Sequence, residues 1–166
     1  MNMLAEDPRV IFMGQAVEYA GTAMSNTLKD VSKDKLLELP VFEDTQMGMT
    51  LGLALAGYIP VSIYPRWNFL ICATNQLVNH VDKIMMMSDY KPRIIIRTGI
   101  GSERPLHPQH QHVGDYTDAY RLLCPNVDII RLEEPEDIFD AYHKAYKRTD
   151  GKATILVEYG DYYNEK

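Results

Sequence analysis

Glu43 stands immediately after the apolar run Leu39-Pro-Val-Phe42. At the carboxyl end of a strand in an open α/β sheet, the edge where ligands bind, a carboxyl group loses water on one side. A carboxyl group that is desolvated there could hold or donate a proton near neutral pH. A glutamate is equally favoured in the first turn of a helix by the helix dipole, so position alone leaves both readings open. Tyr64, Trp67 and Phe69 follow the next apolar run, Pro60–Tyr64. They would form an aromatic platform for a flat heterocycle if that strand lies beside the one preceding Glu43; as ordinary core residues they need no ligand. His107, His110 and His112 share one loop, but no helix fixes their spacing and no cysteine lies nearby, which argues against a metal site. They could instead donate hydrogen bonds to a substrate carboxylate or transfer protons, or simply face water. Gly99-Ile-Gly101 is too short for a dinucleotide fingerprint and no Walker motif is present.

The elements that must position these residues follow from pattern. β-rich runs at Val10–Met13, Pro40–Phe42, Pro60–Tyr64, Arg93–Arg97, Val127–Arg131 and Ala153–Val157 alternate with helical patterns near 16–28, 46–57, 68–88, 115–124 and 134–148. That alternation predicts an α/β fold, a mainly parallel twisted sheet with helices on both faces. Thr98 to Gly114 is the one long irregular segment, and a loop of that length in a compact domain is often functional. Gly48, Gly52 and Ala56 recur every four residues along the second helical pattern. Such a stripe admits a close neighbour, either the sheet below or a helix of another chain.

The bulk properties narrow the classes. A chain of 166 residues that is 46% hydrophobic can bury a single core without disulfides or metal. The net charge of −6, spread along the chain, speaks against nucleic acid as a partner. Cys72 and Cys124 sit in apolar stretches far apart and read as two reduced core thiols. No segment offers the ~18 consecutive apolar residues of a membrane span, and the amino-terminal stretch lacks a signal-peptide pattern. A soluble cytoplasmic protein is expected.

The order of motifs resembles the pyrimidine-binding domain of the transketolase-like, thiamine-diphosphate-dependent enzymes, above all the beta subunit of the 2-oxoacid (pyruvate) dehydrogenase decarboxylase component. The resemblance rests on Asp7-Pro-Arg-Val-Ile-Phe-Met-Gly14, on Leu39-Pro-Val-Phe-Glu-Asp-Thr-Gln-Met-Gly48 continuing to Gly57, on Pro60 to Phe69, and on Asn75 to Asn79 with Lys83. It implies the thiamine-diphosphate-binding fold over residues 1–166 as a single domain, with neither a diphosphate-binding domain nor the family's carboxy-terminal domain. It also implies that Glu43 hydrogen-bonds a ring nitrogen of the cofactor's aminopyrimidine. That contact favours the imino tautomer, which takes the thiazolium proton. Phe69 matches the residue that packs on the pyrimidine, with Tyr64 and Trp67 as its neighbours. His110 matches the loop histidine that assists the substrate, with His112 in reserve.

On this resemblance the chain is the pyrimidine-binding subunit of a split enzyme, inactive alone. Its substrate would be a 2-oxoacid or a sugar phosphate, in a decarboxylase, dehydrogenase or ketol transferase. Thiamine diphosphate would be shared with a separate diphosphate-binding subunit that also carries the magnesium, in a homo- or hetero-oligomer. Gln15 and Ala16 stand where the family has acidic residues, and Thr45 where many relatives have a small one. Those departures keep a second expectation open, a non-catalytic paralogue that binds and regulates a partner.

Overall fold

Five of the six apolar segments become strands, and the central ones alternate side chains between two buried layers. In the computed structural model, which describes residues 1–20, 22–101 and 109–160, the strands are β1 (Val10–Gly14), β2 (Leu36–Glu38), β3 (Ile59–Ile63), β4 (Ile95–Ile100), β5 (Asp128–Leu132) and β6 (Thr154–Tyr159). They form one sheet in the order β2-β1-β3-β4-β6-β5, with every pairing parallel. Parallel neighbours need crossovers, which the helices supply. These are α1 (Asn2–Ala5), α2 (Ala23–Asn26), α3 (Glu43–Leu55), α4 (Trp67–Leu70), α5 (Thr74–Gln76), α6 (Ile84–Met87), α7 (Thr117–Leu123) and α8 (Asp137–Lys147).

Each face of the sheet carries its own apolar layer. Ile94, Ile96, Ile155 and Val157 point to one side and pack with Met47 of α3, Trp67 and Leu70 of α4, and Tyr120 of α7. Val10, Phe12, Val61, Ile95 and Leu156 point to the other and pack with Leu4 of α1, Met24 of α2, and Tyr142 and Ala145 of α8. The expected α/β architecture with helices on both faces is thus the observed one. Among the described residues no helix is long and apolar enough to cross a membrane.

Several local expectations are corrected. Pro40–Phe42 is not a strand; β2 lies earlier, at Leu36–Glu38. The Leu39 amide still donates to the Gly14 carbonyl at 2.8 Å, but Pro40 has no amide hydrogen to continue the ladder. The region 16–28 holds only the one-turn α2, opened by Thr22 and Ser25 in a capping box. The helical pattern 68–88 is broken into short helices by a 3-10 turn at Ile71–Ala73 and a π turn at Leu77–Val81. Thr98, Gly99 and Ile100, expected in a loop, are strand. Cys124 is buried, and burial pushes its thiol up to about 12, whereas Cys72 is exposed and not a core residue.

One feature of the second layer is not apolar. Arg97 of β4 and Glu158 of β6 are almost fully buried and form a bidentate pair, Nε to Oε1 at 3.0 Å and Nη2 to Oε2 at 2.8 Å. Tyr142 donates to Glu158 at 2.5 Å, and Arg97 donates to Thr27 at 2.8 Å. Removing one partner leaves the other charge stranded, at a cost of about 3–5 kcal/mol. Arg97→Met is therefore expected to lower the urea-unfolding free energy by about that amount, and adding Glu158→Leu should recover most of the loss. Equal destabilisation by the single and double variants would contradict this account.

Candidate functional site

The chain runs from β1 outward to β2 and then returns past β1 to β3. That reversal makes a topological switch point between β1 and β3, and the crevice beyond the carboxyl ends of strands at such a point is where open α/β sheets bind ligands. The residues that leave these strand ends are Gly14 and Gln15 after β1, Glu38 at the end of β2, and Tyr64 after β3.

Gly14 begins the site. Its φ is +143°, and a Cβ added there would overlap the Ile63 carbonyl oxygen of β3, so only glycine fits. The next residues turn sharply, with Ala16 in the left-handed region at φ 58°, a conformation that costs a non-glycine residue about 1–2 kcal/mol. Glu38 offsets that cost. Its carboxylate accepts from the amides of Ala16 at 2.8 Å, Val17 at 2.7 Å and Glu18 at 2.9 Å. Three successive donors on one anion form a small nest, and this pins the loop over the sheet edge.

Gln15, held in that loop, donates from Nε2 to Glu43 Oε1 at 3.1 Å. Glu43 is the first residue of α3 and is 8% exposed. With Asp44 it complements the positive end of that helix. Glu43 Oε2 has no hydrogen-bond partner among the described residues. Tyr64 is fully buried and donates its hydroxyl to the Glu43 main-chain oxygen at 3.3 Å. Burial pushes the Tyr64 phenol far above its ordinary value, so it remains a donor. Below the helix start, Gln46 donates to Ser62 at 3.1 Å and to the Ile63 carbonyl at 3.0 Å, while Thr50 bonds Ser62 at 2.8 Å. This polar seam fixes the first turns of α3 to β3.

The aromatic residues divide. Trp67 is fully buried, donates to Thr117 at 3.3 Å and packs on Tyr120 with ring centroids 4.8 Å apart. Trp67 and Tyr64 therefore present no ring face at the surface of this chain. Phe69, also on α4, is partly exposed and stacks on His112 at 5.1 Å and 30°. Arg66 ties this corner together by donating to the carbonyls of Gly101 at 2.8 Å and His112 at 3.2 Å.

His110 is exposed in the 3-10 turn His110–His112, so it is His112 that meets Phe69. His107 lies outside the described residues. His112 Nδ1 and Asn68 Oδ1 are buried polar atoms without partners, the kind of unsatisfied groups that a ligand or ordered water completes. Among the described residues no cluster of three His, Cys, Asp or Glu could hold a metal.

Sequence reasoning did not find the role of Gln15 or Glu38. Gln15 was visible only as a departure from an acidic pattern. Glu38 lies in a stretch with no motif, and its signal is the left-handed turn it supports. The small-residue stripe is resolved in part: Gly48 faces the Gln76 side chain, whereas a Cβ on Gly52 would touch nothing within 4 Å. At Gly52 the stripe is not serving internal packing.

Together these features define an open parallel α/β domain whose polar groups converge on the switch-point edge, the ligand-binding edge of such sheets. The chain belongs to the transketolase pyrimidine-binding domain family: the family described as "Transketolase, pyrimidine binding domain" matches residues 1–164. It is similar to the beta subunit of the pyruvate dehydrogenase E1 component of Gracilaria tenuistipitata var. liui, 26% identical over 169 residues, covering 98% of this chain and 50% of that protein. The mitochondrial beta subunit of Drosophila melanogaster is 28% identical over 139 residues, covering 81% of this chain and 37% of that protein. A solved structure described as "Split gene transketolase, inactive beta4 tetramer" has a TM-score of 0.68 at 15% identity, covering 92% of this chain and 46% of that one, and so shares the fold. The chain spans half the length or less of these relatives.

Glu38→Ala is expected to lower stability by about 1–3 kcal/mol, the cost of leaving partly buried amides without their acceptor. Thermal unfolding of the variant checks it. Because Ala16 is the strained residue, adding Ala16→Gly to Glu38→Ala should recover part of the loss; no recovery would show that the clamp does not hold that turn.

Proposed function

We propose that this chain is the pyrimidine-binding half of a split thiamine-diphosphate enzyme, shared with a separate diphosphate-binding subunit that carries the magnesium. The observation that carries the reading is Glu43, a buried carboxyl at the switch-point edge with one oxygen held by Gln15 and the other open. The residues fit the aminopyrimidine end of the cofactor. Glu43 Oε2 is an acceptor or acid for a ring nitrogen, and Phe69, stacked on His112, offers a partly exposed ring.

When bound, the cofactor supplies a thiazolium carbon that attacks a carbonyl once its proton is lost. Glu43 contributes by sharing a proton at the pyrimidine nitrogen. Tyr64 and the Gln46–Ser62 seam keep the glutamate's backbone in place, so little reorganisation is needed when that proton moves. Phe69 orients the ring. His110, exposed on its loop, is the group proposed to meet the substrate carboxylate from the solvent side, with His112 behind it. The substrate is a 2-oxoacid or a sugar phosphate. The family relatives named as pyruvate dehydrogenase beta subunits support decarboxylation coupled to oxidation; the structure described as an inactive beta4 split transketolase is a precedent for a chain of this fold being inactive by itself. The uncovered Gly52 and exposed Val41 and Tyr19 suit a surface that a partner chain covers.

The purified chain with thiamine diphosphate and magnesium is expected to show no turnover until the diphosphate-binding subunit is added; robust activity of the chain alone would sink the split-site reading. In the assembled enzyme Glu43→Gln should lower turnover ~100- to 10,000-fold, the usual cost of losing a general acid or base, with the melting temperature lowered by no more than about 2–4 °C. Normal turnover with a lowered melting temperature would return Glu43 to a helix-dipole role worth at most about 1 kcal/mol. It would also put the regulatory paralogue ahead.

A further inference from the structure

We infer that Gln15 is a positioning residue for Glu43, an inference that rests on the reading of Glu43 as the cofactor-facing carboxyl. Among the described residues Gln15 Nε2 is the one hydrogen-bond donor to the Glu43 carboxyl, at 3.1 Å, across 28 residues of sequence. The contact is not incidental to a loose loop. On one side of Gln15, Gly14 is locked against Ile63; on the other, Ala16 is held in a left-handed turn by the Glu38 carboxylate. Backbone strain kept by a dedicated clamp fixes where the Gln15 side chain starts.

The chemistry of the amide sets what it does. A carboxamide N–H donates but cannot give up its proton, so Gln15 occupies Oε1 permanently and leaves Oε2 as the single acceptor for the pyrimidine nitrogen. An acid at this position would behave otherwise. Two carboxyls in contact repel when both are ionised and bond only when they share one proton. The amide makes the orientation of Glu43 independent of pH at this contact.

The test uses the assembled enzyme with thiamine diphosphate and follows the exchange of the thiazolium proton for deuterium across pH. Gln15→Leu, which removes the donor, is expected to slow exchange about 10- to 100-fold, the rate equivalent of one hydrogen bond to a charged group. Gln15→Glu should exchange progressively more slowly than the wild type as pH rises and recover as pH falls, because a shared proton restores the bond. A structural role for Gln15 would lower the melting temperature without adding that pH dependence. If both variants exchange like the wild type at every pH while Glu43→Gln abolishes exchange, the inference about Gln15 is overturned and the reading of Glu43 stands. If Glu43→Gln also exchanges normally, both fall.

A second readout needs neither cofactor nor a Gln15 variant. In the cofactor-free, nitrogen-15-labelled chain, the Gln15 side-chain amide resonances should shift on Glu43→Ala, and resonances that do not move overturn the contact.

Discussion

The close approach of β1 to β3 at Gly14 is the constraint from which the site follows. A side chain at that position would meet the backbone oxygen of Ile63, and backbone cannot retreat as the end of a flexible side chain can. The chain therefore leaves β1 in a conformation reserved for glycine and enters its turn at a fixed angle. The turn is strained at Ala16, and the Glu38 carboxylate on the neighbouring strand answers the strain with three amide contacts. Only with that loop in place can Gln15 reach the glutamate at the start of α3. A steric exclusion in the sheet is thus converted, through one anion and one amide, into the orientation of a carboxyl group 28 residues away.

Elsewhere the fold secures the same edge by burying polar groups in pairs. The Gln46, Thr50 and Ser62 contacts join α3 to β3, and the Arg97–Glu158 pair joins β4 to β6 beneath α8. The Arg97–Glu158 pair is not the cheapest way to fill a core, since ion pairs in low-dielectric surroundings recover little beyond their own desolvation. Both sets of contacts fix relative position more sharply than apolar contact does, because hydrogen bonds demand direction and distance. At a site whose parts come from the ends of β1, β2 and β3, that sharpness holds the carboxyl to one geometry.

The layering was legible in the sequence because parallel strands buried on both faces carry apolar runs, as at Ile94–Ile96 and Ala153–Val157, and because Glu133, Glu134, Pro135 and Glu136 stand ahead of α8, where proline and acids favour a helix start. The family was legible because several motifs occur in a fixed order, whereas no single one of them would have sufficed. The misplacement of β2 has a simple cause: Leu39-Pro-Val-Phe42 is more apolar than Leu36–Glu38, yet strand pairing depends on available amides, and Pro40 lacks one.

At the site, Glu43 could be read from its place between an apolar run and a helical one. Its contact with Gln15 could not, because nothing local encodes a hydrogen bond between loops far apart in sequence. Composition also cannot say which aromatic side chain faces outward. Trp67 and Phe69 differ by two positions on a short helix, and Trp67 is buried against Thr117 and Tyr120 of α7 while Phe69 stays partly exposed. For the same reason His110 and His112 were distinguishable by motif but not by contact.

The measurement that bears most directly on the central claim is the experimental structure of this chain assembled with its diphosphate-binding subunit and thiamine diphosphate. The account predicts the pyrimidine ring nitrogen within about 3 Å of Glu43 Oε2, the Phe69 ring against the pyrimidine, and Gln15 still on Oε1. A cofactor bound with its pyrimidine away from Glu43, or a complex in which the switch-point edge of this chain faces solvent, would contradict it.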